Sequence, residues 1–275
     1  MTNHDHRFKE EIADMRILDG LEPGTFDLHL HTTASDGALP PADLVRKAKA
    51  AGLSTIAVTD HDTLAGVEEA IKTGQEIGVH VIPGVELSTR LQRTNIDILG
   101  YHIQERQQLH DELAAFRDDR KTRAIAIIER FNHLGMPLTL EDVRSFSGDG
   151  VIARPHIAQA IVQKGYLPNV QTVFDQYLAD GKPAAIEKKV LTPENGIRMI
   201  RRAGGIAVLA HPALIGDDGI VRRVLEVGLD GIEVWHRKHT RKDARRYLRL
   251  AAEFDLLVTG GSDFHNDEHT LGAPI

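Results

Sequence analysis

Short apolar runs along the chain alternate with longer stretches whose apolar residues recur at the helical period. The short runs fall at 26–30, 55–59, 79–82, 96–101, 206–210, 231–235 and 256–259. Their length and apolar density predict β-strands. Between most of them lie amphipathic stretches at 41–51, 63–77, 193–203, 219–227 and 241–254, which predict helices. The first of these opens on Pro41 and stops before Gly52, a start and stop that suit a helix. Strands alternating with helices predict an α/β fold with a mainly parallel sheet or barrel. Seven strand candidates suggest a (β/α)7 barrel, one unit short of the eight-stranded form.

From 104 to about 189 the rhythm changes to helices and loops: a long, charged, periodic stretch at 109–134 and shorter ones at 141–146, 156–164 and 170–178. This predicts a helical insertion domain at 104–189, dividing the barrel into 25–103 and 190–275 and leaving 1–24 as an N-terminal extension. The extension is charged and lacks the apolar stretch of a secretory signal. No apolar run is long enough to span a membrane, so a cytoplasmic protein is expected.

Composition sharpens the chemistry. The chain of 275 residues has no cysteine, which removes disulfides, thiolate metal sites and cysteine nucleophiles. A formal net charge of −7 argues against stable binding of duplex nucleic acid but leaves room for a nucleotide or short oligonucleotide in a local cleft. There are 15 histidines, the commonest side-chain metal ligands, and several adjoin Asp or Glu.

In a parallel barrel, reactive side chains come from the C-terminal ends of strands and the loops that follow. His29 and His31 close the first predicted strand, two positions apart, and so point to one side. Asp36 follows in the next loop. The second strand ends in Thr59-Asp60-His61-Asp62 and the third in Pro83-Gly84-Val85-Glu86. The fourth carries Asp97 and His102, the fifth leads to His211, and the seventh to Asp263 and His265. Singly, each has a plainer reading. Asp36, Asp60 and Asp62 suit helix caps or turns, and His211 before Pro212 suits a packed ring. Six of seven strand ends carrying His or acid is a different matter, because acids elsewhere in the strands are confined to Asp27, Asp97 and Glu233. Imidazoles and carboxylates without sulfur suit Zn, Mn or Fe. There are more such groups than one ion uses, so two or three divalent ions are expected, with Glu86 the candidate bridge. Ions this close together activate water near neutral pH and clamp the oxygens of a phosphoryl displacement. Asp36, His61 and His211 are the candidates to surround that water.

The segments Asp-Leu-His-Leu-His-Thr-Thr-Ala-Ser-Asp-Gly, Thr-Asp-His-Asp, Pro-Gly-Val-Glu, Ala-His-Pro and Gly-Ser-Asp-Phe-His, in this order across 27–265, resemble the PHP (polymerase and histidinol phosphatase) family. The resemblance implies a seven-stranded distorted barrel with a trinuclear metal site. It assigns His29, His31, Glu86 and Asp263 to one ion, Asp36, His61 and His265 to a second, and Glu86 and His211 to a third. The remaining ligand to the third is a histidine in the nearest branch, where this chain has Asp97; His102 is the alternative. Strand parity turns these two opposite ways, which favours Asp97. The insertion, with Ala153-Arg154-Pro155-His156 and Gly181-Lys182-Pro183, is similar to the branch of 3′,5′-nucleoside bisphosphate phosphatases and 5′-to-3′ exoribonucleases. Arg154 suits bidentate phosphate binding, with His156 and Lys182 adding charge. The expected activity is hydrolysis of nucleoside 3′,5′-bisphosphates to nucleoside 5′-monophosphates, with trimming of short oligonucleotides. The alternatives are a metal amidohydrolase, a histidinol-phosphate phosphatase and a non-catalytic PHP module. An amidohydrolase normally adds a carbamylated lysine at a later strand end, and no such lysine is evident.

Overall fold

The first strand, β1 (Phe26–Leu30), is buried along its whole length. In the computed structural model, which describes residues 16–147, 152–179, 181–186 and 191–274 (side chains of 117–121 excepted), it opens a seven-stranded sheet. The strands follow in chain order: β2 (Thr55–Val58), β3 (His80–Leu91), β4 (Thr94–Tyr101), β5 (Ile206–Leu209), β6 (Gly231–His236) and β7 (Leu257–Gly261). The sheet nearly closes into a barrel: Leu30 bridges Phe264 just past β7, and His31 N–H donates to Phe264 O at 3.0 Å. The pairings β1–β2, β2–β3, β5–β6 and β6–β7 are parallel.

Two findings depart from the periodic reading. β3 runs for 12 residues rather than the four expected at 79–82, and β4 lies antiparallel to both its neighbours. The cause is a two-residue turn at Gln92-Arg93, with Gln92 at φ 55°, which folds β3 straight back onto β4 with no helix between them. Glu86 therefore sits inside a strand, opposite Leu99, rather than at a strand end. Asp97 lies opposite Ser88, in the middle of β4. The end of β4 points to the other rim of the barrel, where His102 Nε2 pairs with Asp19 Oδ2 at 2.8 Å.

Helices α1 (Pro41–Ala50), α2 (Val67–Ile77), α7 (Pro193–Arg202), α8 (Asp218–Glu226) and α9 (Arg241–Glu253) accompany the strands. Their caps follow the sequence: Thr192, Asp217 and Thr240 each accept a first-turn N–H. Of the expected N-terminal extension, residues 1–15 lie outside the described residues. Ile17 bridges Val258 of β7, Arg16 O accepts from Val258 N–H at 2.9 Å, and Leu18 is buried.

The chain divides into two units, Met1–Asp111 with Leu191–Ile275, and Glu112–Val190. Residues 104 and 105, placed in the insertion by sequence, are tied to the barrel unit, where their N–H groups both donate to Ala203 O. The second unit is helical, with most of α3 (Arg106–His133), α4 (Leu140–Ser147), α5 (Arg154–Gln163) and α6 (Val170–Val173), the last running into a π-turn at Phe174–Leu178. Its own core includes Ile127, Phe131, Val143, Ile157, Ile161 and Leu178. The expected end of the insertion near 189 lies outside the described residues.

Gly261 ends β7 against β1. A Cβ there would lie 2.2 Å from His29 Cβ and 2.5 Å from His29 N. Gly261→Ala is expected to destabilise the protein by about 1–3 kcal/mol through overpacking, read as a fall of several degrees in thermal midpoint.

Candidate metal centre

Burial of β1 hides two opposite faces. Phe26, Leu28 and Leu30 are apolar, while Asp27, His29 and the following His31 line the barrel interior with their polar atoms. Glu86, from β3, meets them. Its Oε2 lies 3.2 Å from each of His29 Nε2, His31 Nε2 and His61 Nδ1, and its Oε1 lies 2.9 Å from His211 Nε2. Asp263 Oδ1 lies 3.4 Å from both His31 Nε2 and His265 Nδ1. Asp36 stands at the open side, with its oxygens 3.4 Å from His265 Nε2 and 3.8 Å from His61 Nε2. Thus β1, β3, the loops after β1, β2, β5 and β7, and Asp97 of β4 meet at one place.

Three overlapping groups have ligand atoms all within 4.8 Å of one another: His31, Asp36, His61 and His265; His29, His31 and Asp263; and His29, Glu86 and His211. These divide the residues differently from the resemblance, since His31 joins the second set, Glu86 is absent from the first and Asp97 falls outside the third. Asp97 is nonetheless adjacent, its Oδ2 3.9 Å from His211 Nε2, whereas His102 lies at the other rim.

The residues fit divalent ions on two counts. Two ligands sharing an ion through bonds of about 2.0–2.1 Å sit roughly 3.0–3.4 Å apart, and the distances around Glu86 Oε2 are 3.2 Å. His29 Nε2, both nitrogens of His31, His61 Nδ1 and Glu86 Oε2 are buried without hydrogen-bond partners. Leaving one buried polar atom unpaired costs about 1–3 kcal/mol, so several gathered in one cluster, three of them nitrogens around Glu86 Oε2, call for cations.

Electrostatics agree. Burial disfavours charge on His29 and on His31, but the surrounding carboxylates outweigh it and raise both, His31 to about 9. Burial, then the charge of Glu86, raises the Asp97 carboxyl to about 7. Asp36, more exposed, is lowered to about 2, because the imidazoles of His265, His61 and His31 outweigh its partial burial. Backbone strain gathers here too: Asp62, His211 and Asp263 have φ of 51°, 25° and 52°, a conformation that costs about 1–3 kcal/mol per non-glycine residue.

A second ring of side chains holds the first. Glu233 Oε1 accepts from His29 Nδ1 at 3.0 Å, and its Oε2 accepts the His211 N–H at 2.7 Å. A carboxylate only accepts, so Nδ1 of His29 carries the hydrogen and Nε2 turns its lone pair to the centre. Asp60 accepts from Thr32 N–H, Thr32 Oγ1 and Ser35 Oγ, shaping the loop that carries Asp36. Asp62 Oδ1 accepts from Ser88 N–H. Asp27 takes the Ser262 N–H and hydroxyl, joining β1 to the Asp263 loop. Asp60 and Asp62 are in this sense the turn formers their positions suggest. Glu233, His236 and Arg237 were not singled out as site residues. The signal for Glu233 was present, an acid inside an otherwise apolar strand. His236 was masked by parity, because it lies three residues from Glu233 and an irregular register at Glu233/Trp235 turns both toward the centre.

Residues 27–178 match the model of the PHP domain, more than half of the chain. The chain belongs to the PHP family. It is 36% identical over 249 residues to a 5′-3′ exoribonuclease of Haemophilus influenzae, covering 87% of this chain and 89% of that one. It is 32% identical over 246 residues to a 3′,5′-nucleoside bisphosphate phosphatase of Chromobacterium violaceum, covering 87% and 86%. Among solved structures, a protein from Bifidobacterium adolescentis described as a metal-dependent phosphoesterase superposes with a TM-score of 0.64 at 32% identity, over 92% of each chain. This PHP protein is accordingly a metal-dependent phosphoesterase, a hydrolase of phosphate esters.

Arg154, His156 and Lys182, read from the sequence as phosphate-binding, all belong to the second unit. Arg154 Nη1 donates to Leu178 O at 3.1 Å, His156 Nδ1 accepts the Ala153 N–H at 3.2 Å, and Lys182 is exposed.

Two measurements test the centre. With the Asp97 carboxyl near 7 and the His31 imidazole near 9, the metal-free protein holds a proton on each at pH 6.5. Ions require the deprotonated forms. Calorimetry in buffers of different ionisation enthalpy is therefore expected to show net proton release on metal binding, larger at pH 6.5 than at pH 8 because Asp97 loses its proton between them, with affinity rising up to pH 9. Glu233→Gln keeps shape but sets an amide donor against the His211 N–H or loses the His29 contact. Metal affinity is expected to fall about 10- to 100-fold.

Proposed function

We propose that the protein removes a phosphate from nucleoside 3′,5′-bisphosphates, leaving the nucleoside 5′-monophosphate, and trims short oligonucleotides. The observation that carries this is the convergence of buried, unpartnered nitrogen and oxygen atoms on Glu86 Oε2, open to solvent on the side of Asp36, His61 and His265. The names of the exoribonuclease and the bisphosphate phosphatase support the substrate class.

Two or three ions of Mn, Zn or Fe suit these donors. His29, His31, Glu86 and Asp263 would hold one, Asp36, His61 and His265 a second, and Glu86, His211 and Asp97 a third. Bound there, such ions lower the pKa of water and neutralise charge on the phosphate. The chain's own residues do the rest. Glu233 keeps His29 and His211 in register, Asp60 fixes the loop of Asp36, and the burial of His29, His31 and Glu86 excludes competing water from the floor of the site. Asp36 and His61 at the open side, with the buried His211 beside Glu86, would surround and orient the attacking water. Arg154, His156 and Lys182 are proposed as further contacts to substrate phosphate. No lysine is among the buried residues described, which supports the phosphoester reading over an amidohydrolase. Among the described residues no helix is long and apolar enough to cross a membrane.

Metal-loaded protein is expected to release inorganic phosphate from adenosine 3′,5′-bisphosphate. Glu86→Gln, which discharges the buried carboxylate at the centre of the cluster, is expected to lower kcat/KM by about a thousandfold, the loss of several kcal/mol of transition-state stabilisation. Absence of phosphate release from bisphosphates, with intact metal content, sinks this substrate assignment.

A further inference from the structure

The sixth strand supplies none of the predicted ligands, yet a guanidinium stands beside the cluster at its C-terminal end. Arg237 Nη2 donates to Asp263 Oδ2 at 2.9 Å. His236 Nε2 lies 3.3 Å from the same oxygen, and its Nδ1 accepts the Lys238 N–H at 3.1 Å, so Nε2 is the protonated nitrogen. Two donors therefore hold Asp263 from behind. Its other oxygen, Oδ1, faces His31 Nε2 at 3.4 Å and His29 Nε2 at 3.7 Å. One carboxylate links Arg237 to the place where the imidazoles converge.

That placement is unfavourable for a purely structural arginine. Guanidinium stays charged at every accessible pH, and here it stands one carboxylate away from a centre that collects cations. Asp263 uses one of its five donors. Arg237 Nε is buried with no hydrogen-bond partner, while the side chain as a whole is 28% exposed. An anion held beside the guanidinium would add a second counter-charge to that of Asp263 and use donors that Asp263 leaves over. A phosphate, with several acceptor oxygens, does so bidentately.

We propose that Arg237 is a substrate-binding residue whose unused donors grip a non-bridging oxygen of the scissile phosphate while Asp263 holds the guanidinium in place. This rests on the phosphoester reading of the same centre. It places a phosphate-gripping arginine on the barrel itself, in addition to the Arg154 expected in the helical insertion.

Inorganic phosphate is the probe. Its binding to full-length, metal-loaded protein is measured by calorimetry and by competitive inhibition, with metal content determined in parallel, for wild type, Arg237→Ala and Arg237→Lys. Arg237→Ala is expected to keep its metal, to bind phosphate roughly 10- to 100-fold more weakly, and to raise KM more than it lowers kcat. Arg237→Lys, with the charge but not the fork, is expected to recover part of the loss. Unchanged phosphate affinity in Arg237→Ala overturns the proposal. So does an affinity restored by added metal alone, which would make Arg237 only a support for Asp263. If Arg237→Ala does not fold, the same two criteria are applied to Arg237→Lys. Wild-type protein that binds phosphate but leaves bisphosphates intact removes the nucleotide assignment and leaves the Arg237 result readable.

Discussion

A single buried carboxylate organises this molecule. Glu86 is almost fully enclosed, with three imidazole nitrogens around one oxygen and a fourth at the other. An isolated carboxylate in such a place is prohibitively desolvated. It is tolerable because the imidazoles of His29, His31 and His211, whose affinity for a proton is raised beside it, balance its charge in the metal-free state, as divalent ions would in the loaded one. The residues that meet it come from separate strands, so the charge balance of one side chain depends on the closure of the whole barrel.

The barrel meets that demand by dividing labour within each strand. Along β1 the apolar residues Phe26, Leu28 and Leu30 are spent on packing, and the intervening Asp27, His29 and His31 on the polar interior. Close backbone approaches keep the interior narrow, notably at Gly261, where nothing but hydrogen fits against His29. Around the first set of polar atoms lies another of acceptors: Glu233 on His29 and His211, Asp60 on the Asp36 loop, Asp27 on Ser262. Each fixes a ring or loop whose free atoms face inward. Rigidity on the floor contrasts with exposure at Asp36 and His61, and the two together describe a site that is preorganised below and accessible above.

Much of this was legible in the chain. Short apolar runs marked all seven strands, and the spacing of His29, His31, Asp36, His61, Glu86, His211, Asp263 and His265 picked out residues that the fold gathers into one cluster. What was illegible has a common cause. The reversal of β4 hangs on a two-residue turn of Gln92 and Arg93, neither of which is a typical turn former, so nothing local announced that β3 continues past Glu86 and folds back. The inward turn of both Glu233 and His236 hangs on a register irregularity against β7, which alternation alone does not reveal.

Local sequence therefore determined the elements and the kind of chemistry, because apolar periodicity and side-chain ligand type are properties of the chain itself. Tertiary structure decided which atoms share a centre. Whether Asp97 or His102 faces it depended on the direction of β4, set by pairing with β3 and β5. Whether Arg237 stands beside it depended on Asp263, 26 residues away along the chain. Distances between strands are set by the nearly closed hydrogen-bonded sheet, and no residue carries that information alone.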